Sequence, residues 1–160
     1  MMNKRPVMVM VRGVGLKNEP VDLAARILVI EDNFSDVFLL RRALNKQNML
    51  FDLVHLSDGT AALAFVRRQG AYAQTVVPNL ILLDLNLSKY SGEDILREIR
   101  QASYLDGVPV WVWSSSRSRH DEAMLKDLGV SRFITKPAGL GQFMEIGKTI
   151  KDLLAPPRAA

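Results

Sequence analysis

Cysteine is absent from the chain, which excludes disulfides and thiolate metal sites and makes a reducing cytoplasm the easier setting. No apolar run approaches the roughly 20 residues needed to span a bilayer. Lys4 and Arg5 precede VMVMV in the manner of a signal peptide, but that run is short and Arg12 interrupts it. An excess of one charge is also lacking. The formal net charge is +4, and Lys4, Arg5, Arg12, Lys17 and Arg158 lie outside segment 26–155, which holds 16 basic and 15 acidic residues. A balance so near zero, with no dense Lys/Arg stripe interleaved with aromatics, gives no argument for nucleic-acid binding. Internal repeats and low-complexity tracts are missing too.

What remains is an ordinary globular composition. The chain has 160 residues, 48% of them hydrophobic and 24% charged, enough for one domain with a single good core. Residues 1–25 contain Gly13, Gly15 and Pro20 and sustain no period, so they read as a flexible N-terminal leader. The domain is expected over 26–155. A short tail follows at 156–160, because Pro156 and Pro157 cannot continue a helix.

Between these ends the pattern alternates. Short apolar runs at Arg26–Glu31, Phe51–Leu56, Leu80–Asp84, Pro109–Ser114 and Arg132–Thr135 read as strands. Helical periodicity occupies Asp36–Lys46, Asp58–Gln69, Gly92–Ala102, His120–Leu128 and Gly141–Leu154. Five strands alternating with five helices predict an α/β fold with right-handed crossovers and a parallel sheet covered on both faces. The unbroken apolar strands agree, since buried parallel strands do not alternate polar with apolar. In such a fold the ligand site lies beyond the carboxyl ends of the strands.

Those ends carry the chemistry. The first strand finishes in Glu31-Asp32, the third in Asp84 and the fourth in Ser114-Ser115-Ser116, while the fifth precedes Lys136-Pro137. Each signal alone has a bland explanation as a helix cap, a turn or a loop. Their coincidence on four strand ends is what argues for a site. Three carboxylates held together repel one another unless a cation intervenes. Oxygen donors without His or Cys suit Mg²⁺. A carboxylate beside that ion can attack a phosphoryl group, with lysine as a point charge. Lys136-Pro137 is also a candidate cis peptide that would aim the lysine inward.

ILVIEDN, LILLDLNLSKYSG, PVWVWSSS and FITKP resemble the receiver domain of bacterial two-component response regulators. The resemblance runs from about Ile27 to Leu154. It includes the gaps from Asp84 of 30 residues to Ser114, 8 to Gly92 and 52 to Lys136. SDGTAALAFVRRQGAY, PNLILLDLNL and ITKPAGLGQFMEI are most similar to the single-domain regulators encoded beside phytochrome-type sensor kinases. The resemblance implies a flavodoxin-like, doubly wound five-stranded parallel sheet of order 2-1-3-4-5 with five helices. It implies that Asp84 is the phosphoacceptor. Asp32 and Asp84 would ligate Mg²⁺ together with the backbone carbonyl of Asn86, and Glu31 would act through water. Ser114 and Lys136 would bind the phosphoryl group, and Phe133 would be the aromatic that repacks on activation. The sequence departs from the family at Ser88, where proline is usual, and at Ser114, where threonine is commoner. Neither change removes a group that the chemistry requires.

The implied function is phosphoryl acceptance from a histidine kinase, with no turnover of an external substrate, in the cytoplasm. Output is expected through protein contacts, including a homodimer through the fourth helix, fifth strand and fifth helix. A DNA-binding output would need roughly 60–100 further residues, so direct DNA binding is not expected. Two other classes stand beside this reading. A non-phosphorylated interaction module would share the fold. A flavin- or nucleotide-binding flavodoxin-like protein would need a phosphate-cradling loop after the first strand, and EDNFSD has no glycine and the wrong charge.

Overall fold

The computed structural model describes residues 9–12, 24–115 and 119–155, with the side chains of 9–12 and 119–121 excepted. Ser116, most of the expected leader and the tail 156–160 lie outside the described residues. In chain order the strands are β1 (Val9–Arg12), β2 (Ala25–Ile30), β3 (Phe51–Leu56), β4 (Leu80–Asp84), β5 (Val110–Ser114) and β6 (Arg132–Thr135). The helices are α1 (Phe34–Lys46), α2 (Gly59–Val66), α3 (Gly92–Gln101), α4 (Arg119–Asp127) and α5 (Leu140–Leu154).

Strands β2 to β6 form a parallel sheet of order β3-β2-β4-β5-β6, the 2-1-3-4-5 arrangement expected for the five sequence-predicted strands. Strand β1 adds to the free edge of β3 in antiparallel register, from Val9 opposite His55 to Arg12 opposite Asp52. This corrects the reading of 1–25 as wholly a leader. The outer backbone groups of β3 need partners, and the VMVR tetrapeptide, with β-branched Val9 and Val11, can supply them.

The central strands are apolar throughout because both sheet faces are covered. Period-2 alternation sends Ile27, Val29, Leu80, Leu82, Trp111 and Trp113 to one face, under Val37 and Leu40 of α1 and Phe143 and Ile150 of α5. Leu28, Ile30, Ile81, Leu83, Val110 and Val112 face the other side, under Phe65 of α2, Ile95 and Ile99 of α3 and Leu125 of α4. Both tryptophans are therefore packing residues. Trp113 is wholly buried and meets Phe143 edge-on, with ring centroids 6.3 Å apart.

Local capping sets the helix starts around the site. Asn33 caps α1 by accepting from Ser35 N at 3.0 Å. Asp58 caps α2 through Ala61 N at 2.8 Å. Ser91 caps α3 through Asp94 N at 3.2 Å. Helix α1 begins two residues before its sequence-predicted start because Asn33 is the cap, and so Phe34 and Ser35 enter its first turn.

Candidate functional site

The parallel register brings the carboxyl ends of β2, β4, β5 and β6 to one edge. Glu31 follows β2 directly, and its N–H donates to Leu56 O at 3.0 Å, extending the ladder by one residue. Its side chain is thereby turned into the protein and is fully buried. Asp84 ends β4 and is 1% exposed; Ser114 ends β5 and is equally buried. Lys136 N donates to Ser114 O at 2.9 Å. That bond continues the β5–β6 pairing and delivers the lysine to the same edge. No cis peptide occurs among the described residues, so Lys136–Pro137 is trans. The strand register, rather than a cis bond, aims the ammonium.

Glu31, Asp32 and Asp84 form the acidic group expected from the sequence. Each offers a carboxylate oxygen, and these atoms lie within 4.8 Å of one another. Lys136 Nζ sits against two of them, 2.7 Å from Asp84 Oδ2 and 2.8 Å from Glu31 Oε2. It also lies 3.1 Å from Asp36 Oδ2 and 5.7 Å from the centre of the Trp113 ring. The other oxygens are held by backbone. Asn33 N donates to Glu31 Oε1 at 2.9 Å, and Asn86 N donates to Asp84 Oδ1 at 2.9 Å. The Asn86 side-chain amide donates to Ser114 Oγ at 3.1 Å. Phe133 stands apart from this cluster. It is half-buried on β6 and lines a cleft of about 560 Å³ with Leu125 and Val130 beside α4.

The electrostatics follow from burial and crowding. Burial pushes the Glu31 carboxyl up to about 7 from an ordinary 4.5, against the hydrogen bonds from Lys136 and Asn33, and the Asp84 charge raises it further. Burial alone would lower the Lys136 pKa, but its hydrogen bonds to Asp84 and Glu31 outweigh that and hold it above the ordinary lysine value. Beneath the site, buried His55 donates from Nε2 to the Glu31 backbone oxygen at 2.7 Å. Burial holds the His55 pKa below its ordinary value.

Sequence reasoning missed three contributors. Asp36 reads in the sequence only as the first residue of a helix, whereas in the fold it stands in the first turn of α1 with Oδ2 3.1 Å from Lys136 Nζ. Asn86 is expected to contribute only its carbonyl, whereas its side-chain amide also bonds Ser114 Oγ. Asn33 carried a signal, since Asn before an apolar-periodic run is a cap.

Gly92 explains how closely α3 approaches the site. Its N–H donates to Leu85 O at 3.0 Å. A Cβ there would lie 2.5 Å from Leu85 Cα and 2.6 Å from Asp84 O, both backbone atoms that cannot rotate aside. Gly92→Ala is therefore expected to displace the end of β4 and to cost about 1–3 kcal/mol by overpacking, read from urea denaturation. An unchanged midpoint would contradict this account of the loop.

A family model described as the response regulator receiver domain matches residues 27–147. Response regulator Rcp1 of Synechocystis sp. is 37% identical over 126 residues, which cover 79% of this chain and 86% of Rcp1. The crystal structure of the phosphorylated cyanobacterial phytochrome response regulator RcpA is similar at TM-score 0.77 and 37% identity, covering 85% of this chain and 97% of that one. The Mn(2+)-bound form of response regulator Rcp1 is similar at TM-score 0.75 and 34% identity, covering 84% and 97%. With the acidic edge, the five-strand order and a match over most of its length, the chain belongs to the response regulator receiver domains of two-component signalling.

Proposed function

We propose that the protein accepts a phosphoryl group on Asp84 from a histidine kinase, in the cytoplasm, and signals through protein contacts. The observation that carries this reading is the buried Asp84 carboxylate with one oxygen on the Lys136 ammonium and the other on Asn86 N. A carboxylate so held cannot rotate freely, and its free lone pairs are presented at the sheet edge. The similarity to phytochrome response regulators supports a phytochrome-type kinase as the donor.

The donor set fits a divalent cation such as Mg²⁺: three carboxylates close together, oxygen only, two of them buried and one of these, Glu31, with its ionised form disfavoured. Asp32 and Asp84 would hold the ion with the Asn86 carbonyl, and Glu31 would act through water. When bound, the cation would offset carboxylate charge and favour approach of the anionic phosphoryl group. An Asp84 oxygen attacks phosphorus, the new O–P bond forms as the donor's N–P bond breaks, and the leaving imidazole keeps that bond's electron pair. Lys136 stays protonated and neutralises a phosphoryl oxygen, while the Ser114 hydroxyl donates to another. The resulting acyl phosphate is lost by hydrolysis at the same site, so no external substrate is turned over.

The output face is proposed along α4, β6 and α5, with Phe133 repacking beside the α4 cleft and a homodimer as one form of contact. On α5 Phe143 and Ile146 belong to the core, and Leu140 and Leu153, 46% and 44% exposed, are apolar residues available to a partner. No argument for DNA binding arises from the site.

Incubation with Mg²⁺ and acetyl phosphate, followed by intact mass, tests the proposal. A gain of one phosphoryl group is expected. Folded protein that gains none would point instead to an interaction module without phosphorylation.

The cation also predicts a pH effect. The folded-state pKa of Glu31 is raised, so its contribution to stability is fully present below about 4.5 and is lost as pH rises through about 7. A cation prefers the ionised form and must displace a proton below that pH. Millimolar Mg²⁺ is therefore expected to raise Tm more at pH 8 than at pH 6, where a hundredfold excess over Kd would stabilise the fold by about 2.7 kcal/mol in total. Equal shifts at the two pH values would remove Glu31 from the site.

A further inference from the structure

We infer that Asp36 is a positioning residue that holds Lys136 at the site when a cation draws Asp84 and Glu31 away from it. The inference rests on the phosphoacceptor reading above. A lysine ammonium has three N–H donors, and three carboxylate oxygens surround Lys136 Nζ: Asp84 Oδ2 at 2.7 Å, Glu31 Oε2 at 2.8 Å and Asp36 Oδ2 at 3.1 Å.

These three partners differ in what else they do. Glu31 and Asp84 belong to the carboxylate group whose oxygens converge within 4.8 Å, and Asp36 does not. A cation seated among Glu31, Asp32 and Asp84 competes for two of the three carboxylates on Lys136. Asp36 alone stays committed to the ammonium. It stands in the first turn of α1, whose start is pinned by the Asn33 cap. It therefore offers the lysine a fixed anchor that is not one of the converging oxygens. The side chains of Lys136 and Asp36 are 15% and 18% exposed, so neither is a freely solvated surface ion.

The alternative role is purely local. An acidic residue in the first turn of a helix interacts well with the helix dipole whatever lies nearby. That role would appear in stability and would leave Lys136 unaffected.

Asp36→Asn removes the charge with little change of shape. Two readouts separate the roles. The first is the rate of phosphoryl uptake from acetyl phosphate with Mg²⁺. The second is the reactivity of Lys136 Nζ toward acetic anhydride, followed by peptide mass spectrometry, with and without Mg²⁺. The expected result is uptake slowed roughly fivefold, and a similar rise in Lys136 acetylation that is larger with Mg²⁺ present. An unchanged or faster uptake rate in folded Asp36→Asn overturns the inference. So does slower uptake with unchanged Lys136 reactivity, which would reduce Asp36 to a helix residue. If the wild-type protein takes up no phosphoryl group, the phosphoacceptor reading fails. The acetylation arm then still decides whether Asp36 holds Lys136.

Discussion

Lys136→Met is expected to leave the metal-free protein destabilised by about 3–5 kcal/mol at pH 8, the range for breaking a buried ion pair by removing one partner. Lys136 is the cation that faces Glu31, Asp36 and Asp84 together. Methionine keeps the length of the stem and removes the charge. Glu31 suffers most, because it is fully buried and Lys136 is the strongest influence opposing the effect of burial on its pKa. Without that influence its folded-state pKa rises further. Protonation relieves the strain in acid, so the loss should be small at pH 5 and grow as pH passes 7. Mg²⁺ should restore part of it at pH 8, since a divalent cation can take over the neutralising role. Urea denaturation at pH 5 and pH 8, with and without Mg²⁺, measures all of this. A pH-independent loss would mean that Lys136 contributes packing alone.

Asp84→Asn is expected to abolish phosphoryl gain completely, because an amide oxygen is a poor nucleophile and leaves no acyl phosphate. Its structural cost is separate. Two donors converge on Asp84, Lys136 Nζ on Oδ2 and Asn86 N on Oδ1. Asparagine offers one acceptor, so one donor loses its partner, at about 1–3 kcal/mol. Against this, the Asp84 charge raises the Glu31 pKa, and its removal brings Glu31 back toward the ordinary range. The variant should therefore remain folded and should lose less stability than Lys136→Met at pH 8. Intact mass after incubation with acetyl phosphate checks the chemistry, and a retained gain on another residue would displace Asp84 as the acceptor. Thermal melting checks the ordering of the two variants.

Much of this protein follows from the order of its residues alone. Unbroken apolar runs such as LILLD and VWVWS predict strands covered on both faces, and the alternation with helices predicts the parallel sheet. In such a sheet every strand runs the same way, so residues at the ends of separate runs must meet at one edge. That is why Glu31, Asp32, Asp84, Ser114 and Lys136 are legible as one group in the sequence. Tertiary structure decided what spacing does not encode. The pairing of β1 with β3 depends on which edge is left open. The placement of Lys136 at the site depends on the β5–β6 register. The role of Asp36 depends on where the first turn of α1 points once Asn33 caps it, and the Asn86–Ser114 bond depends on the loop after β4 meeting the end of β5 across 28 residues. Periodicity reports which face is buried. It carries no information on which polar side chains meet at a helix start or a loop, because those contacts are set by packing between distant segments.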